Sequence, residues 1–418
     1  MAPSAPRSPQ AKEYTMLTAN QIALIKASVP FLEEHGLELT THFYRRMLEG
    51  NPELKSVFNQ AHQMKGEQQM SLAVAVLAYA KNIENPAVLA GAVRRIAQKH
   101  CTIGIRPEQY AIVGRHLIAS LGELLGEAAT PELVDAWTAA YQQLADLLIA
   151  TEQKIYDEQA NVEGGWSSWR PMRVANRVEE CRDVVSFYLE PADGGPLPAY
   201  APGQYVSVRT FVKELGLVQP RQYTISQASG TGFIRITVKR IAGDTTPEGR
   251  MSNHLHKYLK TGDVIDVSAP TGDFTIDVKA EHPVVFIAAG IGITPMVPMI
   301  ETLATENPLR EVHFIYSTQN SETYPLRAEV ERAVSGMPNA ASAVFFTKPL
   351  EKDRIGVDYN AEGRISVDEL RNFCQNPDAD FYLCGPIPFM KSIAEALRSI
   401  GIIAPRIHSE AFGTGDWE

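Results

Sequence analysis

The chain has 418 residues, of which 44% are apolar and 21% charged, and its net charge is −10 at neutral pH. At roughly 100–200 residues per domain, this length predicts about three domains. An acidic chain of this kind has no general electrostatic reason to bind nucleic acid or an anionic membrane. It contains no run of about 18 uninterrupted apolar residues, so no transmembrane helix is expected.

Residues 1–15 are rich in alanine, serine and proline, which predicts a disordered N-terminal tail. A mitochondrial transit peptide is the alternative, although two basic residues and three early prolines disfavour an amphipathic arginine-rich helix. The chain has four cysteines, Cys101, Cys181, Cys374 and Cys384. They show neither a CxxC pair nor the clustered spacing of an iron–sulfur site, which favours free thiols in a reducing compartment. We expect a cytoplasmic protein, or a mitochondrial-matrix protein if the tail is a transit peptide.

The next region, from about Thr18 to Glu158, has apolar residues at steps of three and four, which predicts helices. Pro107 and Pro131 each suit the first turn of a helix, and Thr130 suits the N-cap before the second. We therefore predict an all-α domain over residues 16–160. The segment 161–168 contains two glycines and two serines and is predicted to be a linker.

The pattern then changes to a period of two over residues 169–278, which predicts an antiparallel β-barrel of about six strands. In the run Phe233–Arg240, apolar residues alternate with polar ones, which predicts a half-buried strand with Arg235 and Thr237 facing away from the core. Over residues 282–418, fully apolar runs alternate with helical segments. That alternation predicts an α/β domain with a parallel sheet.

One histidine in the helical region is a candidate metal ligand. His100 ends the segment VRRIAQKH, in which Val93, Ile96 and Ala97 share one helical face. A histidine at the end of such a face is a candidate haem ligand, and the alternative is an ordinary surface or partly buried histidine. The segments HFYRRMLEGNPELKSVFN, GEQQMSLAVAVLAYA and RPEQYAIVGRHLI surround it in sequence. Together they resemble the globin domain of the flavohaemoglobins over nearly the whole helical region.

That resemblance implies roles for the residues that match the family's motifs. Tyr44 would lie distal to the haem, where a phenol donor would stabilise partly anionic bound dioxygen. His100 would be the proximal ligand, and Tyr110 and Glu152 would bond its other ring nitrogen, making the imidazole a stronger donor to iron. Without the resemblance, Tyr44 would be an ordinary core tyrosine and Glu152 an exposed helix residue. The other haem-pocket residues implied are Phe58, Gln68, Leu72 and Lys99.

Three short motifs occur in the barrel region. The run RQYT, Arg221–Thr224, follows GQYVSV and precedes GRMSNHLH, and the three resemble the FAD-binding motifs of the ferredoxin–NADP reductase family. The resemblance implies that Arg221 contacts the FAD pyrophosphate, Tyr223 flanks the isoalloxazine and Thr224 approaches its reactive nitrogen. Backbone N–H groups that open a helix at the third motif would suit a phosphate. The other implied FAD contacts are Tyr205, Gln222, Gly249, Ser252 and Asn253.

The last region carries a glycine-rich turn, AAGIGITP, after the apolar strand VVFIA. Its glycines would let the backbone approach a pyrophosphate, and Pro295 suits a first helical turn. A lone turn of this type is often merely structural, but here it is accompanied by FYLCGPIPFM, whose CGP turn resembles the family's nicotinamide-side loop. The implied NAD(P)H-binding residues are Gly290, Ile291, Gly292, Ile293, Thr294, Pro295, Cys384, Gly385 and Pro386.

The C-terminal SEAFGTG resembles the family's final segment, which implies positions beside the flavin for Glu410, Phe412, Gly413 and Thr414. Ala411 stands where bacterial relatives tend to have cysteine. After the second apolar strand, IYSTQN, no carboxylate directly follows to bind the ribose 2′-hydroxyl of NADH, and no arginine follows to bind the 2′-phosphate of NADPH. The sequence therefore leaves the choice between NADH and NADPH open.

The resemblance implies haem b, FAD and NAD(P)H as cofactors and nitric oxide dioxygenase as the activity. Electrons would pass from NAD(P)H through FAD to haem, and nitric oxide would be detoxified to nitrate with dioxygen. The alternatives are a haem-dependent peroxide or hydroperoxide reductase and an oxygen sensor or store; the attached reductase without an output domain disfavours a sensor. We expect a monomer with small-molecule partners only, and neither nucleic-acid binding nor stable membrane insertion.

Overall fold

The structure is a computed structural model that describes residues 16–58, 66–241, 243, 249–373, 376 and 378–412. The predicted N-terminal tail lies outside the described residues. The region before the predicted linker is helical, which confirms the all-α prediction. Its helices are α1 (Ala19–Ala27), α2 (Val29–Gly50), α3 (Glu67–Lys81), α4 (Ala90–Ile103), α5 (Pro107–Leu125) and α6 (Pro131–Asn161).

The helices begin at capping residues that the sequence supplies. Thr18 and Gln21 form a reciprocal capping box at the start of α1. Pro107 is the first residue of α5, and the Thr130 hydroxyl oxygen accepts a hydrogen bond from the Leu133 amide at 3.3 Å to cap α6. The predicted starts of α5 and α6 are therefore confirmed.

The described residues divide into two compact units. The first contains residues 16–52, 72–97 and 106–153. The second contains 53–58, 66–71, 98–105 and the described residues from 154 onward. The second unit thus includes the last turns of α4 together with all the β-structure.

Polar side chains join α2 to α5 within the first unit. Arg46 Nη1 donates to Nδ1 of His116 at 2.9 Å, and Nε2 of the same imidazole donates to Asn51 Oδ1 at 3.0 Å. These two bonds leave the buried imidazole neutral with its proton on Nε2, because Nδ1 accepts from a cation. On the other side of α5, a Cβ at Gly114 would collide with the ring of Tyr141, so this glycine lets α6 approach closely.

The second unit opens with an antiparallel sheet in the order β4-β3-β6-β1-β2-β5. A bridge between Ile225, directly after β4, and Ile236 of β5 brings the two outer strands together and closes the barrel. Apolar side chains from all six strands fill its interior. The elements are β1 (Trp169–Cys181), β2 (Val184–Pro191), β3 (Tyr205–Val212), β4 (Leu217–Thr224), β5 (Ile234–Lys239), α7 (Arg250–Tyr258) and β6 (Val264–Ser268).

Strand β5 differs from its prediction, because residues Ile234–Val238 are all buried and only Lys239 is exposed. Thr237 Oγ1 forms hydrogen bonds with the hydroxyls of Ser186 and Ser226 at 2.8 and 2.7 Å. Arg235 is covered by the α/β domain that follows. The half-buried prediction is therefore wrong: the face assigned to solvent packs against other parts of the chain.

The segment between α6 and β1 is held against the barrel. Trp166 Nε1 donates to the carbonyl of Val267 at 3.2 Å. Arg170 donates to the carbonyl of Gly164 at 3.3 Å and forms an ion pair with Asp193 at 2.6 Å. The predicted linker thus makes specific hydrogen bonds along its course.

A parallel sheet in the order β10-β9-β8-β7-β11-β12 forms the rest of the second unit, as predicted. Helices cover both of its faces over separate apolar clusters. Its elements are β7 (Val284–Ala289), α8 (Met296–Glu306), β8 (Val312–Thr318), α9 (Arg327–Ser335), β9 (Ala340–Phe346), β10 (Ala361–Glu362), α10 (Val367–Phe373), β11 (Asp380–Cys384), α11 (Ile387–Ser399) and β12 (Ile407–Glu410). Within the described ranges, no helix has both the length and the apolar composition needed to cross a bilayer.

Candidate functional sites

The two predicted dinucleotide turns lie together at the carboxyl edge of the parallel sheet. Strands β7 and β11 are neighbours, with Ala288 opposite Cys384. A Cβ at Gly292 would collide with the carbonyl oxygen of Cys384, so only glycine permits this approach. The chain order reverses here, since β7 is followed on one side by β8 and lies beside β11 on the other. Such a switch point is where parallel sheets bind dinucleotides.

Hydrogen bonds fix the shape of the first turn. Residues Gly290–Ile293 form a 3₁₀ turn, and the hydroxyl of the buried Tyr316 donates to the carbonyl of Gly290 at 2.9 Å. Thr294 Oγ1 donates to the carbonyl of Ile291 at 3.0 Å, and α8 begins directly after Pro295. In the second turn Pro386 precedes α11. The two turns therefore form a cradle at the starts of α8 and α11, where backbone N–H groups suit a pyrophosphate.

Strands β3 and β4 bring the predicted flavin residues together. Tyr205 lies opposite Thr224 in the antiparallel register, and Val208 lies opposite Arg221. Burial raises the pKa of Tyr205 and of Tyr223, so both phenols are neutral at physiological pH. The pair of strands therefore presents two neutral aromatic rings, a hydroxyl and a guanidinium.

Arg221 has the environment of an anion-binding residue. Its side chain donates to the carbonyl of Pro220 at 2.6 Å, and among the described residues no carboxylate forms an ion pair with it. Burial lowers the pKa of Arg221 to about 10, so the guanidinium remains charged at neutral pH. A shielded cation without a carboxylate partner is costly unless an anion binds it, which fits the FAD pyrophosphate.

Glu410, at the end of β12, lies beside the turn formed by Cys384, Gly385 and Pro386, because it pairs with Cys384 in the parallel register. Its Oε2 is buried and has no hydrogen-bond partner among the described residues. Burial raises the pKa of Glu410 to about 8, which Lys99 opposes and Asp273 reinforces. Burial likewise raises the pKa of the Cys384 thiol. Phe412 is half exposed, whereas Gly413 and Thr414 lie outside the described residues.

The third flavin motif forms the start of α7. Ser252 Oγ donates to the carbonyl of Gly249 at 3.0 Å, and Asn253 Nδ2 donates to the carbonyl of Ile241 at 2.7 Å. These side chains therefore hold the turn in shape. Their contact with a cofactor stays a prediction.

Strand β4 also holds two segments from the helical part of the sequence. Gln222 Nε2 donates to Thr102 Oγ1 at 3.0 Å, and Gln219 Nε2 donates to the carbonyl of Lys55 at 2.9 Å. The sequence placed Gln222 among the FAD contacts and did not single out Gln219 or Thr102. Thr102 follows the candidate haem ligand, the half-buried His100, by two residues on α4. The candidate ligand and the candidate flavin strand thus belong to one compact unit.

The first unit contains three of the four candidate catalytic residues, Tyr44, Tyr110 and Glu152, and the fourth, Gln68, lies in the second unit. Tyr44, on α2, is buried with its ring 4.9 Å from that of Phe43, and burial raises the pKa of Tyr44, so its phenol keeps its proton. The Tyr110 hydroxyl donates to Oε1 of Glu152, which is 3% exposed and so is not the surface residue of the alternative interpretation. Leu72 is half-buried on α3; in the second unit, Phe58 and Gln68 are also half-buried and Lys99 is exposed.

Three family models match successive parts of the chain. They are globin over residues 41–148, oxidoreductase FAD-binding domain over 171–276 and oxidoreductase NAD-binding domain over 286–395. The fold and these matches define a globin joined to an oxidoreductase with an FAD-binding and an NAD-binding domain.

Relatives of the whole chain narrow this class to one family. The flavohemoprotein of Bordetella pertussis (strain Tohama I) is 50% identical over 96% of this chain and 99% of its own length. The crystal structure of flavohemoglobin from Malassezia yamatoensis with bound FAD and haem is 32% identical, with a TM-score of 0.83 over 95% of this chain and 100% of that one. The chain therefore belongs to the flavohaemoglobin family, and its cofactors are haem, FAD and NAD(P)H.

A third match covers the β-containing half alone. The FAD/NAD-binding domain of nitric oxide dioxygenase from Vibrio cholerae O1 biovar El Tor is 33% identical, with a TM-score of 0.53 over 58% of this chain and 98% of that one. The predicted fold class, an all-α globin followed by an antiparallel FAD-binding domain and a parallel NAD-binding domain, is confirmed.

Proposed function

We propose that this flavohaemoglobin is a nitric oxide dioxygenase, which uses NAD(P)H to convert nitric oxide and dioxygen to nitrate. The observation that carries the proposal is the 3.0 Å hydrogen bond from Gln222 to Thr102. It holds the candidate flavin strand against the helix of the candidate haem ligand, and this proximity supports direct electron transfer from reductase to haem. The name of the Vibrio cholerae relative supports the choice of nitric oxide as substrate.

When bound, NAD(P)H and FAD would supply hydride and single-electron transfer, and haem, with His100 as its proposed ligand, would supply the iron for the oxygen chemistry. Each nitric oxide converted to nitrate consumes one dioxygen and one electron. One NAD(P)H therefore supports two conversions and leaves NAD(P)⁺ and a proton.

The reductase residues would bind and orient the two nucleotides. Gly292 and Gly385 admit the dinucleotide backbone into the cradle, where any larger residue at Gly292 would meet Cys384. Arg221 neutralises a pyrophosphate, and the neutral ring of Tyr223 provides a surface for the isoalloxazine. Glu410, whose pKa is near 8, holds or releases a proton at its carboxylate in the physiological range.

The globin residues would provide the iron ligand and the polar groups of the oxygen chemistry. His100 is proposed as the ligand, because its imidazole is the side chain that globins use for this purpose. Tyr44 keeps its proton and can donate it in a hydrogen bond. Tyr110 and Glu152 share a buried hydrogen bond that fixes the position of the carboxylate.

The proposal also includes a cytoplasmic location and a monomeric state. The described cysteines Cys101, Cys181 and Cys384 form no disulfide, which favours a reducing compartment.

The test is the consumption of NAD(P)H by the purified chain loaded with haem and FAD. We expect nitric oxide in air-saturated buffer to accelerate this consumption, with two nitrates formed for each NAD(P)H. Consumption that responds to a hydroperoxide but not to nitric oxide would identify the chain as a hydroperoxide reductase. Oxygen binding without steady NAD(P)H consumption would instead identify an oxygen store.

A further inference from the structure

A charged side chain, Arg235, lies near the start of strand β5, on the face that the sequence assigned to solvent. Arg235 is only 4% exposed. Its Nη1 donates to Oε1 of Glu329 at 2.7 Å, and the two side chains are 5% and 17% exposed. Arg235 belongs to the FAD-binding domain and Glu329 to helix α9 of the NAD-binding domain. The buried ion pair therefore joins the two domains.

The barrel holds the guanidinium of Arg235 in one orientation. Its Nε donates to Ser226 Oγ at 3.2 Å and its Nη2 to the carbonyl of Ser226, while the ring of Tyr188 lies 5.8 Å from the guanidinium carbon. Because these contacts come from the barrel, the remaining donor, Nη1, points at the NAD-binding domain in a defined direction.

A second carboxylate of the NAD-binding domain reaches the same part of the barrel. Glu301, on α8, accepts a hydrogen bond at Oε2 from the backbone amide of Ala228 at 3.1 Å. Ala228 follows Ser226, the residue that holds Arg235, by two positions. The Arg235–Glu329 pair and the Ala228–Glu301 bond therefore both depend on one short loop of the barrel. Helix α8 begins directly after the dinucleotide cradle. A rotation of the NAD-binding domain that carries the cradle and α8 away from the barrel would therefore strain these bonds.

The physics of buried ion pairs indicates what this one does. Removing two charges from water costs about as much as their attraction returns, so such a pair contributes little net stability compared with apolar side chains. Its hydrogen bonds are directional, however, and they are satisfied in only one arrangement of the two domains. The apolar cores of the barrel and the parallel sheet are separate clusters, except that Phe274 and Ile276, at the end of the FAD-binding region, pack in the cluster of the parallel sheet. Directional contacts between the barrel and the NAD-binding domain are thus suited to set the domain orientation.

We propose that Arg235, Glu329 and Glu301 form an interdomain clamp that holds the NAD-binding domain in the orientation needed for hydride transfer to the flavin. Arg235, Glu329 and Glu301 are positioning residues, because they act through the cradle and not on the reacting atoms. The proposal rests on the first step of the proposed function. In that step a hydride, with its electron pair, leaves the nicotinamide and is accepted by FAD, and no further reactant is needed.

The first test is Glu329→Gln in the FAD-loaded chain, mixed with NAD(P)H in an anaerobic stopped-flow experiment. We expect the limiting rate of flavin reduction to fall by about 10- to 100-fold, since small displacements of reacting groups have effects of this size. The half-saturating NAD(P)H concentration should change by less than about threefold, because the cradle itself is intact. Glu329→Asp, which keeps the charge, should restore part of the rate.

The matched control is Glu331→Gln on the same helix. Glu331 is exposed and pairs with Arg327 inside the NAD-binding domain at 2.6 Å, so its loss should leave the limiting rate unchanged. The double variant Arg235→Met, Glu329→Leu replaces the ion pair by apolar side chains. We expect it to retain its melting temperature and yet to reduce flavin slowly. This variant keeps the test decisive if Glu329→Gln folds poorly.

Hydrogen exchange provides a readout without turnover. Peptides covering residues 226–230 should exchange faster in Glu329→Gln than in Glu331→Gln, because the amide of Ala228 is protected by the clamp. A wild-type limiting rate in Glu329→Gln overturns the proposal, as does a rate that falls only in proportion to lost FAD. If the wild-type chain itself does not reduce FAD with NAD(P)H, the proposed function fails, and the exchange result alone decides whether the clamp exists.

Discussion

The Tyr110 hydroxyl donates a hydrogen bond to the buried carboxylate of Glu152, 42 residues further along the chain. Tyr110→Phe keeps the ring but removes the donor, so the carboxylate stays buried with one bond fewer. A hydrogen bond to a charged group contributes about 1.5–3 kcal/mol, and we expect the free energy of unfolding to fall by that amount in a denaturant titration.

The matched control is Tyr141→Phe, which removes a bond at 2.7 Å to the neutral carbonyl of Tyr110. Its loss should cost only about 0.5–1.5 kcal/mol. Equal decreases in the free energy of unfolding of the two variants would mean that the bond from Tyr110 to the Glu152 carboxylate contributes no more than a bond to a neutral carbonyl.

Tyr44→Phe should speed the release of dioxygen from the reduced protein. The buried phenol keeps its proton and can donate to partly anionic dioxygen, a bond of roughly 1.5–3 kcal/mol. Each 1.4 kcal/mol is about tenfold, so release should become about 10- to 150-fold faster if the rate of entry is little changed. Stopped-flow measurement decides this, and a rate within about twofold of wild type removes Tyr44 from the mechanism.

His100→Ala should abolish specific haem binding and leave the reduction of FAD by NAD(P)H intact. The imidazole is the proposed iron ligand, whereas the flavin residues lie on β3 and β4. Absorption spectra of the purified variant test both parts. A native haem spectrum in the variant would show that another residue ligates the iron.

Arg221→Ala should weaken FAD binding, since it removes a charge-assisted bond worth about 1.5–3 kcal/mol. Flavin occupancy after dialysis measures this loss. The control is Arg209→Ala in the same barrel, because Arg209 already pairs with Asp266 at 2.9 Å and needs no cofactor anion. Equal occupancy in the two variants would contradict the pyrophosphate role.

Gly292→Ala should greatly slow the reduction of flavin by NAD(P)H while FAD stays bound. The added Cβ would meet the carbonyl oxygen of Cys384, so one of the two turns must move. Gly336→Ala in the same domain is the control, because its Cβ would meet only ordinary contacts at 3.5 Å. A Gly292→Ala variant with wild-type NAD(P)H kinetics would show that the cradle is not the binding site.

His116 should make the stability of the helical unit depend on pH. Burial and the positive charges of Arg46 and Arg115 lower the pKa of His116 below its ordinary 6.5. The unfolded chain therefore binds a proton at this residue before the folded chain does. Stability is full above about pH 6.5 and falls as the pH drops below it. Melting temperatures between pH 5 and 8 should show a smaller decline in His116→Gln than in wild type or His35→Gln.

Local sequence patterns were sufficient for most of the fold. Pro107 and Pro131 mark helix starts because a missing N–H costs nothing there. The apolar run at Val284 reads as a buried strand because both faces of a parallel sheet are covered. Arg235 shows the limit of such patterns. Its period-two position predicts solvent, and the residue that covers it, Glu329, lies 94 positions away.

Some candidate site residues could likewise be predicted from local sequence patterns, whereas others depend on contacts between distant segments. The turn around Gly292 is visible in sequence because the requirement for glycine is local. The Tyr110–Glu152 pair came from family resemblance, since nothing in the helical period distinguishes those two residues from ordinary core and surface positions. Gln222 was assigned to FAD, although it donates to Thr102, 120 residues away. A hydrogen bond at such separation leaves no trace in either segment's own pattern.

Strand β4 donates hydrogen bonds to two segments of the helical region, so the globin region cannot be separated from the rest of the chain without losing these bonds. A fragment ending at residue 160 would lose the Gln222 donor to Thr102 and the Gln219 donor to Lys55. Joining the same fragment to a foreign reductase would recreate neither contact unless the new partner carried glutamines at matching positions. The two halves of this chain are therefore not freely interchangeable, because a globin region transplanted without β4 would lack the hydrogen bond from Gln222 near the end of the helix that bears His100.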